Sequence, residues 1–251
     1  MKNLLSSMKL NLRAVLWSIK KSIVQSKNEL RRKDTASFIK YLNSLGMKIE
    51  EDVIMYSPET LNIDTNRPTL INVTGGGTLL HENLTILTHD YVTRCFLGKY
   101  HEFVQSSGSI NVGRNVWFGK NVTLLRGADI GDNCIIGYGS IVNKKIPANS
   151  VAAGMPAKVI CSLDDFFQKR KTLQKEDAMN LARSIVERLH RRPVPEDFWD
   201  EFPLFVSGDE VDKYPEIPIK AQLRDSFDKY VNTHKAEFDS FESFLKASGI
   251  E

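Results

Sequence analysis

The 251-residue chain has few cysteines, no long apolar run and little excess charge of either sign. Its three cysteines, Cys95, Cys134 and Cys161, are odd in number and scattered, which argues against a disulfide framework and favours a reducing, cytoplasmic setting. No apolar run approaches ~18 residues, so no transmembrane helix is expected. The N-terminal apolar stretch is interrupted by arginine and lysine and has no small-residue cleavage site, so it does not resemble a signal peptide.

The net charge of +3 is small, and by itself it gives no reason to expect a nucleic-acid partner. The charge is unevenly distributed, because residues 1–33 hold nine Lys and Arg against a single acidic residue, Glu29. Such a basic segment is compatible with peripheral contact at the inner face of an anionic membrane. It is equally compatible with a solvated helix face packed on the protein itself, and the sequence leaves both alternatives open.

Two motifs that would indicate a different chemistry are missing. The glycine triplet at 75–77 is not followed by Lys-Ser or Lys-Thr, which excludes a phosphate-binding Walker loop and favours a tight corner. His81, His89 and His101 are widely spaced along the chain, and a zinc site with two histidines on one coil would need a closer spacing. No metal is therefore expected.

What the chain does have is a six-residue repeat that starts at Val112. Large apolar residues recur every six positions, and a small or slim residue follows each of the first five after four positions. The two sets are Val112, Phe118, Leu124, Ile130, Ile136 and Val142, and then Val116, Val122, Ala128, Cys134 and Ser140. An α-helix with 3.6 residues per turn cannot keep one face at a spacing of six. A fixed six-residue unit is typical of a parallel β-helix, in which three units form a triangular coil of roughly 18 residues.

The repeat is flanked by segments of helical periodicity. Residues 3–45 are expected to be helical, with Gly46 as the end signal. Past Cys161 a second helix is expected up to Arg191-Arg192-Pro193, and a last helix from about Ile219 to Ala247. Polar and aromatic residues break the repeat between 90 and 109, which predicts an excursion loop. The predicted domains are an N-terminal helical segment (1–48), the β-helix (49–161) and a C-terminal helical extension (162–251).

Several segments of the repeat region carry a resemblance to a known family. They are residues 115–119, 130–133, 139–142 and 146–160, together with Ile86-Leu87-Thr88-His89-Asp90. These segments resemble the left-handed β-helix (hexapeptide-repeat) acyltransferases, and in particular their sugar and polysaccharide O-acetyltransferase branch. The resemblance covers roughly residues 47–165, and Ile63–Pro68 also resembles the lead-in of acyltransferases from surface-polysaccharide gene clusters. It implies a mainly β fold, a left-handed triangular prism, and a homotrimer with active sites at the subunit interfaces.

The resemblance also implies a chemistry, namely acetyl transfer from acetyl-CoA to a hydroxyl of a sugar in a surface polysaccharide or its precursor, through a ternary complex. A hydroxyl needs a base within hydrogen-bond reach, and His89 matches the position of the family's general base. A partner should orient the imidazole. The candidates are Glu102, Asp90 and Glu82, of which Glu102 is favoured because a loop carboxylate can reach a neighbouring site. A backbone carbonyl is the alternative.

The expected contacts to coenzyme A come from the same resemblance. Trp117 matches a position that lines the acceptor or pantetheine pocket, and its spacing from His89 in the sequence predicts one coil plus about ten inserted residues. Lys158 matches a basic residue at the nucleotide phosphate, but the basic residue that often follows three positions later is Cys161 here. The full set of expected cofactor contacts is Trp117, Gly119, Lys120, Gly137, Tyr138, Asn143, Lys144, Ala153 and Lys158.

Two alternative functions stay open at this point. One is an N-acyltransferase that acts on an amino sugar nucleotide, and the other is a non-catalytic β-helix scaffold. Loss of His89 should abolish O-acylation but only reduce N-acylation, because an amine can lose its own proton whereas a hydroxyl needs a base. The scaffold alternative predicts no acyl transfer with any acceptor.

Overall fold

The structure is a computed structural model that describes residues 31–251. The chain divides between Phe166 and Phe167 into two compact units. Of the segment predicted to be helical (3–45), residues 3–30 lie outside the described residues, as does the basic N-terminal segment before Arg31. No helix within the described part combines the length and the apolarity that crossing a bilayer requires.

The first unit is a parallel β-helix with a sheet on each of its three faces. One sheet contains β1 (Lys48–Ile49), β4 (Ile71–Val73), β7 (Ile110–Val112), β10 (Asp129–Ile130) and β13 (Lys145–Ile146). The second contains β2 (Ile54–Met55), β5 (Leu79–Leu80), β8 (Trp117–Phe118), β11 (Ile135–Ile136), β14 (Ser150–Gly154) and β15 (Ala157–Ser162). The third contains β3 (Asn62–Ile63), β6 (Thr85–Leu87), β9 (Thr123–Leu125) and β12 (Ile141–Val142). Neighbouring strands within the parallel sheets are three strands apart in the chain, so each coil visits all three faces.

The six-residue repeat fills the interior of this β-helix, as predicted. The large apolar residues from Val112 to Val142 are at most 2% exposed, and the small residues from Val116 to Ser140 are at most 1% exposed. Phe118 pairs with Ile136, which holds the same position three repeats later, so one coil has the length that the repeat predicts. The coils therefore stack with equivalent residues in register, and their side chains form one continuous apolar core.

Asparagines occupy left-handed corners of the coils. The φ angles lie between 53° and 61° at Asn83, Asn115, Asn121, Asn133 and Asn149. Asparagine tolerates this region better than most residues because its short amide can hydrogen-bond locally. The Nδ2 of Asn115 donates to the Oδ1 of Asn133 at 2.9 Å, and the Nδ2 of Asn133 donates to the Oδ1 of Asn149 at 3.0 Å. One corner of three successive coils is thus joined by side-chain amides.

The first coil of the β-helix is covered by a helix. Helix α1 (Thr35–Ser44) buries Phe38, Ile39 and Leu42 in the core of the β-helix. Just before it, the Nη1 of Arg32 donates to three backbone carbonyl groups of the first coil, those of Pro58, Glu59 and Leu61. At the other end, β14 and β15 form an antiparallel hairpin. The strand edges of the first coil are therefore less open to pairing with other chains.

The predicted excursion leaves the coil after β6 and returns before β7. It contains helix α2 (Thr93–Tyr100), which the sequence prediction of a loop at 90–109 did not include. The helix ends at His101, which has a left-handed φ of 58°. The remaining residues return to β7 without regular structure apart from an isolated bridge between Ser107 and His89.

The second unit is helical and has its own aromatic core. Its helices are α3 (Leu163–Leu189, which begins in the first unit), α4 (Ile219–Leu223), α5 (Phe227–Thr233) and α6 (Phe241–Ala247). The prediction of one helix from Ile219 to Ala247 is wrong, because Arg224 has a positive φ of 48° and ends α4. Ser240 then starts α6 by accepting a hydrogen bond from the backbone N–H of Ser243. The predicted three-part division at residues 48 and 161 stays a prediction.

Candidate active site

A histidine and an aspartate from successive coils meet at one edge of the third sheet. The parallel pairing of β3 with β6 places Ile63 beside Ile86, so the residues that follow these strands also become neighbours. The Nδ1 of His89 lies 2.6 Å from the Oδ2 of Asp64. The side chains are 8% and 3% exposed, respectively, so the pair is largely shielded from water.

Asp64 is held in its ionised form by the groups around it. Burial alone would raise the pKa of this carboxyl. Hydrogen bonds from the Thr88 hydroxyl (2.5 Å), the Asn66 backbone N–H (2.9 Å) and His89 outweigh burial and lower the pKa below its usual value. Because an ionised carboxylate only accepts hydrogen bonds, the Nδ1 of His89 carries the proton. In the neutral ring the Nε2 is then the free acceptor.

A cavity of about 350 Å³ lies beside this pair. It is lined by Leu87, His89, Asp90, Leu125, Arg126 and Asn143. Two apolar side chains and three polar ones thus line the cavity together with His89, whose outer nitrogen is a proton acceptor. Such an arrangement can take a proton from a hydroxyl group bound in the cavity. Asn143 is the residue of the expected cofactor set that lines the same cavity as His89.

The carboxylates that the sequence favoured as orienting groups lie elsewhere. Glu82 forms an ion pair with Lys120 at 3.0 Å, and Glu102 is exposed. Asp90 lines the cavity but pairs with Arg126 at 3.5 Å. The prediction of Glu102, Asp90 or Glu82 as the partner of His89 is therefore corrected to Asp64. The first coils are longer than the regular ones, so the repeat could not align Asp64 with His89. The signal available in the sequence was the position of an acidic residue directly after the apolar residue Ile63.

Trp117 lies on a different face from His89. It pairs with Leu79 of the preceding coil, and its ring lies 6.4 Å from that of His81 and 5.5 Å from that of Tyr138. The predicted spacing between His89 and Trp117, one coil plus about ten inserted residues, was wrong. The coil from Leu79 to Trp117 contains the excursion, which adds slightly more residues than one regular coil has. The expected contact of Trp117 with the acceptor or the cofactor stays a prediction.

The small residues of the expected cofactor set have a structural reason to be small. A Cβ added to Gly119 would lie 2.6 Å from the backbone nitrogen of Tyr138. A Cβ added to Gly137 would lie 2.8 Å from the Cβ of Ala153. These positions let successive coils approach closely within one chain. Whether they also border coenzyme A stays a prediction.

The expected cationic residues are spread over the outer surface of the β-helix. Lys144 and Lys158 are exposed, and Lys120 is half-exposed and paired with Glu82. Lys158 lies on the β14–β15 hairpin opposite Ala153. Exposed lysines at these places can reach a phosphate group, since their flexible side chains act as mobile point charges. No group of three side chains suited to a metal ion occurs within residues 31–251.

The fold defines the class of this unit as a parallel β-helix built from hexapeptide repeats. Residues 109–144 match the family described as bacterial transferase hexapeptide (six repeats). The galactoside O-acetyltransferase of Escherichia coli (strain K12) is 42% identical over 91 residues, which cover 36% of this chain and 44% of that protein. The putative lipopolysaccharide biosynthesis O-acetyl transferase WbbJ of the same strain is 46% identical over 54 residues, which cover 22% and 28%. A maltose O-acetyltransferase structure from Clostridium difficile 630 is 26% identical, covers 50% of this chain and 74% of that chain, and gives a TM-score of 0.39.

The chain spans less than half the length of the curated relatives it matches. The match at residues 109–144 coincides with the coils in which the repeat is most regular. The repeat unit is therefore a left-handed parallel β-helix whose most regular coils match the hexapeptide transferase model, and it is similar to named sugar O-acetyltransferases.

Proposed function

We propose that this protein is an O-acetyltransferase that moves an acetyl group from acetyl-CoA to a hydroxyl of a sugar in a surface polysaccharide or its precursor. The observation that carries this proposal is the Asp64–His89 pair beside the cavity. A histidine held by a buried carboxylate is the group that deprotonation of a hydroxyl requires near neutral pH. The named relatives support a sugar acceptor, since one acts on galactosides and another is assigned to lipopolysaccharide biosynthesis.

His89 carries the proton through the reaction. Its Nε2 accepts the proton of the sugar hydroxyl as the hydroxyl oxygen bonds to the thioester carbon. The carbon–sulfur bond then breaks, and the proton passes from His89 to the departing thiolate, so that the ring returns to its neutral form. Asp64 stays ionised and stabilises the imidazolium between the two transfers. Because the acetyl group passes directly from the thioester to the hydroxyl oxygen without an acyl-enzyme, this mechanism requires both substrates to be bound at the same time.

Acetyl-CoA, as the co-substrate, supplies the activated acetyl group. Asn143 is proposed to contact it or the acceptor, because it lines the cavity next to His89. Lys144 and Lys158 are proposed to hold its phosphates, and the exposed ring of Tyr138 is proposed to border its pantetheine arm. Tyr138 is 64% exposed beside Trp117, which leaves an apolar surface for such contact.

The assembly and location are also proposals. The family resemblance favours a homotrimer, in which exposed apolar residues of the excursion, such as Tyr91 and Phe103, would be covered by a neighbouring subunit. A cytoplasmic location with peripheral membrane contact through the basic N-terminal residues fits a lipid-linked acceptor. Arg32 is a poor choice for testing that contact, because its guanidinium already donates hydrogen bonds to carbonyl oxygens of the first coil.

The test is release of free thiol from acetyl-CoA in the presence of a panel of glycans. Substitution His89→Ala should reduce acceptor-dependent release by at least ~100-fold, the usual contribution of a general base. Asp64→Asn should reduce it by roughly 10- to 100-fold or more, because the amide cannot stabilise the imidazolium. His190→Asn is the matched control, since His190 is an exposed histidine of the second unit with a left-handed backbone that asparagine tolerates.

Each outcome separates the alternatives. Release that survives His89→Ala would favour an amine acceptor or a different base. Release that no acceptor stimulates would favour a non-catalytic β-helix scaffold. Loss of release in both His89→Ala and Asp64→Asn, with an unaffected His190→Asn control, would support the proposed O-acetyltransferase.

A further inference from the structure

The excursion leaves and rejoins the β-helix at neighbouring points, directly beside His89. Residues 88–90 on the outgoing side and 105–109 on the returning side form a short antiparallel contact, here called the neck. Ser107 bridges to His89, and the backbone N–H of Gly108 donates to the carbonyl oxygen of Thr88 at 2.9 Å. The Nε2 of Gln105 donates to the carbonyl oxygen of Asp90 at 2.7 Å. The backbone of His89 is thus part of the neck.

Arg126, on the next coil, contacts both sides of the neck. Its Nε lies 3.5 Å from the Oδ2 of Asp90 on the outgoing side. Its Nη1 donates to the hydroxyl oxygen of Ser106 on the returning side at 3.0 Å. The adjoining backbone N–H of Gly127 donates to the carbonyl oxygen of Ser109 at 2.9 Å. A planar guanidinium can hold two acceptors at fixed relative positions, which a lysine ammonium does less well.

These contacts complement the hold of Asp64 on His89. Asp64 fixes the imidazole ring, whereas the neck fixes the backbone from which that ring projects. The neck has few backbone hydrogen bonds, so a side chain that joins its two sides contributes a large share of its order. Arg126 and Asp90 also line the cavity next to His89.

We propose that Arg126 is a positioning residue, which holds the two sides of the neck together and so keeps the Nε2 of His89 in place at the cavity. The catalytic part of this inference rests on the proposed acetyl transfer. The part that concerns the neck does not, because it follows from the contacts of Asp90, Ser106 and Arg126 alone.

A direct contact between Arg126 and the acceptor is the competing role, and kinetics distinguish the two. A positioning role predicts that Arg126→Ala lowers kcat by roughly 10- to 100-fold, since small displacements of reacting groups have effects of that size. The KM for the acceptor should then stay within about 3-fold. A role in binding predicts the reverse, a raised KM with an almost unchanged kcat.

The experiment combines thiol release from acetyl-CoA with hydrogen exchange at the amide of Gly108, for the full chain. The variants are Arg126→Ala, Arg126→Lys, Ser106→Ala and the Arg126→Ala/Ser106→Ala double substitution. Arg114→Ala is the matched control, because Arg114 forms a similarly exposed ion pair with Glu50 at 3.4 Å and does not line the cavity. Arg126→Ala should speed exchange at Gly108 by at least ~10-fold, because opening of the neck exposes its hydrogen bond to water. Arg126→Lys should restore part of the kcat.

Two further outcomes complete the test. The effects of Arg126→Ala and Ser106→Ala on kcat should be less than additive, because both remove the same contact. Unchanged exchange at Gly108 and an unchanged kcat in Arg126→Ala, with an active wild type, would overturn the inference and leave the proposed function intact. An inactive wild type with faster exchange in Arg126→Ala would overturn the proposed function and keep the role of Arg126 in the neck.

Discussion

Asp64 is a buried carboxylate that remains charged because hydrogen bonds from Asn66, Thr88 and His89 compensate for its removal from water. The Thr88 hydroxyl and the Asn66 backbone N–H both donate to Asp64, so the carboxylate that pairs with His89 is held in position by two further groups. The same arrangement has a consequence for stability. A carboxyl whose pKa is lower in the folded than in the unfolded chain stabilises the fold as long as it is ionised.

The free energy of unfolding should therefore depend on the charge of Asp64. The folded pKa lies below the usual value of 3.8, so the stabilisation is fully present above about pH 3.8 and is lost as the pH falls below it through the folded pKa. Asp64→Asn lacks this dependence. Urea unfolding of wild type and Asp64→Asn between pH 3 and 6 should show a stability difference that is constant at the upper end and shrinks at the lower end. A difference that grows towards pH 3 would contradict this account.

At the scale of the elements, the regular coils were predictable and the irregular ones were not. From Val112 onward, the same two positions of each repeat are buried in the interior, and the sequence shows both of them directly. Before Val112, β3 pairs with β6 across a coil that is longer than three repeats, and insertions at the corners hide the period. The site shares this limit. His89 was predicted from a family-like motif, whereas its partner Asp64 depends on a register that the six-residue pattern does not contain.

The close stacking of the coils gives a direct test with two glycines. Gly119→Ala places a methyl group 2.6 Å from a backbone nitrogen, so we expect a loss of about 1–3 kcal/mol in the free energy of unfolding. A Cβ added to Gly98, in the middle of α2, would have no atom within 4 Å. Gly98→Ala should therefore be neutral or stabilising by roughly 0.5–1 kcal/mol. Urea unfolding of both variants measures the contrast, and equal effects would show that the coil spacing is not restrictive.

At the scale of the whole molecule, residues 31–251 contain two hydrophobic cores, one in each unit. The interior of the β-helix holds the repeat residues, and the second unit buries a cluster of phenylalanines that includes Phe198, Phe205 and Phe244. The ring centroids of Phe198 and Phe244 are 5.1 Å apart, close enough for direct aromatic contact. Each core has enough large buried side chains to support its own cooperative unfolding.

Calorimetry should therefore show two thermal transitions that respond to different substitutions. Phe244→Ala, in the second unit, should lose about 3–5 kcal/mol and lower the transition temperature of that unit alone. Leu124→Ala, in the β-helix, should lose about 2–5 kcal/mol and lower the other transition. Both side chains are fully buried, which makes them a matched pair. A single transition that both substitutions shift equally would show that the two cores unfold together.

The excursion also affects the order in which the coils can assemble. Trp117 pairs with Ile135 after one regular coil of chain. The segment between the paired residues Leu79 and Trp117 also contains the excursion and is about twice as long. Doubling the length of a flexible loop raises its closure entropy cost by only about 0.6 kcal/mol. We therefore expect the coils from β7 onward to nucleate first and the N-terminal coils to add to them afterwards. An insertion at this point changes the equilibrium very little, so the excursion beyond the neck can vary in length while the stacked coils beneath it stay the same.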